Sequence, residues 1–118
     1  MNFNMLKGEP VPSVNMLSVG AIVNGDIIVD GDLRIDGKVT GNISCDGKIL
    51  IGSAGYIDGT IKCTDAEISG EIKGNIVATG LIILKETSKL TGMILTDKLI
   101  IESGAILNLE NCKTGTEI

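Results

Sequence analysis

Asp26, Asp30, Asp32, Asp36, Asp46 and Asp58 crowd the first half of the chain, where carboxylates could serve acid–base catalysis or hold calcium. Most stand beside a glycine, where Asp makes turns by bonding nearby backbone. The glycine-rich nonapeptide that binds calcium in β-helices is missing. The segment DGDLRIDGK (residues 30–38) lacks the GKS or GKT arrangement and the following helix of a phosphate loop. Histidine is absent, which removes imidazole bases and every His-containing zinc site. Cys45, Cys63 and Cys112 show no CxxC spacing, and their odd count argues against a secreted disulfide scaffold. Cys45 and Cys63 are expected as buried neutral thiols, because apolar surroundings disfavour thiolate. No catalytic residue, cofactor or metal is expected. The chemistry of these residues is that of corners and core.

What must position them is a repeat. Residues 30–62 align without a gap on 63–95, with ten identical positions. Asp32, Ile35, Gly37, Gly41, Asn42, Ile43, Gly47, Ile49, Gly59 and Ile61 each recur 33 residues later. Repetition at this scale means that one supersecondary unit is stacked, each copy burying its apolar face on its neighbours. Within the repeat, apolar residues come in i, i+2 pairs such as Leu33/Ile35, Ile49/Ile51, Ala66/Ile68, Ile82/Leu84 and Leu99/Ile101. Residues two apart share one side of a strand, so each pair points inward and the residue between it points out. A second column runs Ile43/Cys45, Ile61/Cys63, Ile76/Ala78 and Ile94/Thr96, and a third Val39, Ile57, Ile72, Leu90 and Ile106. Gly-containing corners separate three short strands per coil, and Asn42 and Asn75 recur at one of them in a turn role.

Steps along the third column are 18, 15, 18 and 16 residues, so long and short coils alternate. The longer ones carry an extra corner at residues 52–55 and 85–88. No stretch shows the 3.6-residue rhythm of an amphipathic helix. The expected fold is an all-β, single-stranded parallel β-helix of about six coils, stacked ~4.8 Å apart over roughly 25–30 Å. Coil length varies and Val39 to Ile43 is a step of four. That departs from the strict six-residue steps of left-handed hexapeptide helices and favours the right-handed form. The expected domains are a flexible tail over residues 1–15, the β-helix over 16–112 and a short tail over 113–118.

Composition agrees. Hydrophobic residues make up 43% of the 118, yet the aromatics are only Phe3 and Tyr56. Branched aliphatics, favoured in strands, supply the core. A net charge of −5 without a basic block argues against nucleic acid as a partner. No apolar run approaches the ~20 residues that span a bilayer. Met1–Leu6 is too short and polar for the apolar region of a signal peptide. A cytosolic location is expected.

A closed coil has no lateral edge, but its first and last coils leave backbone N–H and C=O groups unpaired. No amphipathic cap precedes Leu17, Val19, Ile22 and Val23, and none follows Ile106, Leu107 and Leu109. These residues are the expected polymer interface, with contact between like ends giving a filament without polarity and contact between unlike ends a polar one. Leu50, Val77, Ile83, Leu95 and Ile100 fall at outward positions and are candidates for lateral contacts. Met1, Phe3, Met5 and Leu6 cluster before Lys7, and Pro10-Val11-Pro12-Ser13 reads as an extended linker. A few apolar side chains bind bilayer weakly, and a polymer presenting many copies gains by avidity.

The linked segments VGAIVNGDI, DGDLRIDGKVTGNI, KILIGSAGYIDGTI, AEISGEIKGNI and KLIIESGAI resemble the bactofilin family, in that order and spacing. The resemblance covers about Ser18 to Ala105. It implies a right-handed β-helix with disordered tails in a bacterial cytoskeletal protein. Such proteins polymerise without nucleotide, like end to like end, commonly on the inner face of the cytoplasmic membrane. They scaffold cell-wall enzymes, cell shape, stalks or motility machinery, and a short apolar N-terminal stretch with a basic residue commonly attaches them. One departure is visible. Family members often carry an aromatic after the GA(I/V) step and a glycine soon after, where this chain has Leu107, Asn108 and Leu109. Two rival readings are a monomeric β-helical adaptor and a left-handed β-helix acyltransferase. The latter typically uses a histidine base, which this chain does not possess.

Overall fold

The computed structural model describes residues 14–114. Its strands are β1 (Val14–Leu17), β2 (Ile22–Asn24), β3 (Ile27–Val29), β4 (Asp32–Ile35), β5 (Lys38–Thr40) and β6 (Ile43–Cys45). They continue with β7 (Lys48–Ile51), β8 (Tyr56–Cys63), β9 (Asp65–Ile68), β10 (Glu71–Leu84), β11 (Lys89–Ile101) and β12 (Ile106–Thr114). Every pairing is parallel, between one coil and the next. Among the described residues there is no helix. The chain winds as a parallel β-solenoid of about six coils with three faces.

On the first face, β1, β4, β7, β9 and the ends of β10 and β11 stack in order. The second face joins β2, β5, the starts of β8, β10 and β11, and β12. The third joins β3, β6 and the later parts of β8, β10, β11 and β12. From β8 onward the second and third faces belong to one strand, and in β10 and β11 that strand reaches the first face as well.

The expected inward pairs form the core. Ile35, Ile49, Ile51, Ile57, Ile61, Ile68, Ile72, Ile76, Ile82, Leu84, Leu90 and Ile94 are fully buried. Among the described residues no buried side-chain polar atom lacks a partner, so the aliphatic interior carries no desolvation penalty of the kind that unpaired polar groups incur.

Corners alternate between the first two faces. Long ones close as hydrogen-bonded turns, with Gly55 N donating to Gly52 O at 2.8 Å and Ser88 N to Lys85 O at 3.0 Å. Tight ones pass in two residues at Asp36-Gly37 and Ser69-Gly70. The alternation fails in the last coil, where Ala105 N donates to Glu102 O at 3.2 Å in another long turn. The extra residues shift the register, so Leu90 pairs with Leu107 and Ile106 pairs with Lys89. Leu107 therefore ends the inward column, and Ile106 points out, contrary to its expected place there.

At the next corner Gly41, Gly59, Gly74 and Gly92 stack with φ between +137° and +151°. An added Cβ on any of them would overlap the carbonyl oxygen of the glycine one coil before. Leu109 occupies this rung in the last coil, opposite Gly92. A leucine rarely adopts such a φ, and the register instead shifts there, pairing Met93 with Asn111. That bulge is how the chain accommodates its missing glycine.

The aspartates bind backbone of the following coil. Asp32 Oδ1 accepts from Lys48 N at 2.9 Å, and its repeat mate Asp65 Oδ1 accepts from Leu81 N at 2.9 Å. Asp26 Oδ1 accepts from Asn42 N at 3.1 Å, and Asn42 Oδ1 from Thr60 N at 3.3 Å. Removing a charged acceptor from a backbone N–H costs ~1.5–3 kcal/mol, less where water can replace it. Asp65→Ala, at the half-buried corner, should therefore cost about 1.5 kcal/mol, and Asp32→Ala, more exposed, about 1 kcal/mol. The sites lie two coils apart, so the double variant should be additive within ~0.5 kcal/mol in urea unfolding. Strong non-additivity would contradict independent corner bonds.

Candidate functional site

The two open ends are where this body departs from a closed structure. β1, β2 and β3 each pair on one side, with β4, β5 and β6 respectively, and β12 pairs with β11 alone. Among the described residues, each end therefore presents backbone donors and acceptors without solenoid partners. Leu17, Val23, Ile27 and Val29 project inward at the first end but are only partly buried, as are Leu99, Leu107 and Leu109 at the other. The row Leu17–Ile35–Ile51–Ile68–Leu84–Ile101 shows why: its middle members are fully buried, while Ile101 is 48% exposed because no coil among the described residues covers it.

Exposed large apolar side chains gather in the same coils. Met16, Val19, Ile22 and Ile28 lie in the first coil, Leu95 in the fifth, and Ile100, Ile101 and Ile106 in the last. Among the described residues, coils two to four have none. The predicted end residues separate by direction. Leu17, Val23, Leu107 and Leu109 face the interior, Ile22 and Ile106 face out at opposite ends of the second face, and Val19 sits on a turn. Asn15 occupies the inward row of Leu33, with its Nδ2 donating to Asp32 O at 3.2 Å.

Met16, Ile28 and Ile101 were not legible as end residues. Ile28 lies inside the unbroken apolar run Ile27–Val29, where period-two alternation is invisible. Of the predicted lateral residues, Leu50, Val77 and Ile83 are half-buried, whereas Leu95 and Ile100 are exposed at 43% and 49%. Leu81, outward beside Ile83, joins them. Met1, Phe3, Met5, Leu6 and Lys7 lie outside the described residues.

Cys45 and Cys63 are buried on adjacent coils of the third face. Burial raises both thiols, with Cys63 pushed up to about 12. The unfolded Cys63 ionises near 9.0, so above that pH the unfolded chain loses its proton first and the folded state loses stability. The loss approaches ~1.4 kcal/mol per pH unit between the two values. Cys63→Ala should flatten this alkaline decline. Alkylation at pH 8 should label Cys112, which is exposed, and spare the other two. Rapid labelling of Cys63 would contradict the buried neutral thiol.

No ion-binding cluster of three or more His, Cys, Asp or Glu occurs among the described residues. The geometry is that of a stackable parallel β-solenoid. Residues 15–110 match the bactofilin family, described as polymer-forming cytoskeletal, and the chain belongs to that family. It is similar to the cytoskeletal bactofilin BacA, whose atomic structure was revealed by solid-state NMR. The TM-score is 0.77 at 28% identity, covering 85% of this chain and 95% of that one. No curated protein matches the chain.

Proposed function

We propose that this cytoskeletal protein assembles end to end, without nucleotide, into filaments on the inner face of the cytoplasmic membrane, where it scaffolds cell-shape, cell-wall or motility machinery. The observation that carries the end-to-end joint is the inward row that is fully buried from Ile35 to Leu84 but left open at its two ends, with Leu17 only partly buried and Ile101 48% exposed. Joining two ends satisfies the unpaired backbone groups and encloses Leu17 and Ile101, extending both the ladder and the core. No nucleotide is needed, since backbone pairing and apolar burial drive the joint. Membrane attachment rests on Met1, Phe3, Met5 and Leu6 beside Lys7, weak singly and strong when a polymer presents many copies. An absence of catalytic function fits the same reading.

Purified full-length protein should pellet as filaments at near-physiological salt with no nucleotide, and should float with liposomes. Deleting residues 2–7 should keep the pellet and abolish flotation. A persistent monomer would favour the adaptor reading instead.

A further inference from the structure

Two adjoining surface cavities, about 430 and 700 Å3, open on the outside of the third face at its N-terminal end. Ile28, Ser44 and Lys62 line both, and they are register neighbours on coils one to three. Ile28 is 85% exposed there, the most exposed large aliphatic among the described residues. Asp26 stands on one wall, and Asp30 and Asp46 on the other. The ion pairs among the described residues are Arg34–Asp36, Lys48–Glu67 and Lys85–Glu102, so these wall carboxylates carry none.

The opposite character lies on the first face, on the last two coils at the other end. Leu81 pairs with Lys98 and Ile83 with Ile100 in the parallel register, which puts three outward aliphatics around one lysine. Lys98 is exposed and also has no ion pair among the described residues. We propose that this ridge seats in the acid-walled groove of a second copy in a neighbouring filament. Ile100 covers Ile28, and Lys98 meets Asp30 and Asp46, which with Asp26 outnumber Lys62, the one lysine lining the groove.

The two surfaces differ, so the contact is heterologous. It does not close on itself and propagates sideways into sheets. One such contact is far smaller than the ~1,200 Å2 of stable complexes, so single subunits stay apart. Aligned rows of contacts along two filaments add by avidity. The inference rests on the end-to-end reading, which supplies those rows.

Charge exchange tests it on the full chain. High-speed pelleting reads the end joints, and low-speed pelleting with negative-stain widths reads the lateral contact. Asp46→Lys and Lys98→Asp should each cut the low-speed pellet about tenfold, since a small loss per contact multiplies along the row, while single filaments persist. The double variant Asp46→Lys/Lys98→Asp should restore sheets. In a Cys112→Ser background, Ile28→Cys with Ile100→Cys should cross-link copies under oxidised glutathione, and neither alone should. Unbundled wild-type filaments, bundles indifferent to either charge reversal, a double variant that stays single, or no cross-link would each overturn the lateral contact. An absent high-speed pellet from wild type would overturn the end joint instead.

Discussion

Leu17→Arg or Ile101→Arg should each stop assembly at a dimer, and the two together should leave a monomer. Both residues end the same inward row, so a stacked neighbour would enclose the arginine with nothing to neutralise it. Breaking or burying an unpaired charge costs ~3–5 kcal/mol, a hundredfold or greater loss of affinity at the joint. Folding should survive, because Ile101 is half-exposed at an open end and surface changes typically stay within ~0.5 kcal/mol. Leu17 is more enclosed, so circular dichroism should accompany sedimentation velocity for that variant.

The dimer carries the diagnosis. If like ends meet, as the family resemblance implies, blocking one end leaves the other joint intact. If unlike ends meet, either change alone yields monomers, because every joint uses both ends. Filaments that survive the double variant would refute end stacking altogether.

Gly59→Ala should be the most damaging small substitution in the body. Its φ is +151°, and an added Cβ would overlap the Gly41 carbonyl oxygen, which belongs to the backbone and cannot swing away. Gly25, at the first rung with φ +138°, has nothing within 4 Å of an added Cβ. It is the control that separates conformational strain from steric overlap. Strain alone costs ~1–3 kcal/mol, and overlap should add at least as much again. With ~4–8 °C of melting temperature per kcal/mol in a domain this size, an overlap of ~1–3 kcal/mol should make Gly59→Ala melt roughly 10 °C below Gly25→Ala. The comparison belongs on the monomeric Leu17→Arg/Ile101→Arg background, since assembly would otherwise mask the loss. Equal melting of the two alanine variants would remove the stacked carbonyl from the explanation.

Most of the solenoid was readable because one residue pattern serves several coils. Alternation marked the inward pairs from Leu33 to Leu99, and the 33-residue echo set their stacking order. Aspartate at corners was also readable, although its partner was not. Asp32 binds Lys48 N one coil away, a contact that depends on where the next coil lands. Alternation is ambiguous where apolar residues are consecutive. In Ala105-Ile106-Leu107, either Ile106 or Leu107 satisfies the alternation, and hydrogen bonding to β11 selects Leu107.

A stacked three-sided coil with an aliphatic interior follows from residue type alone, because side-chain alternation and glycine corners are local. The sequence also carries the family signature. The final register, the bulge at Leu109 and the gathering of exposed aliphatics in the first coil and the last two emerge only once the coils are stacked. Those depend on which coil covers which: Ile101, for example, keeps its inward direction while losing the neighbour that would bury it.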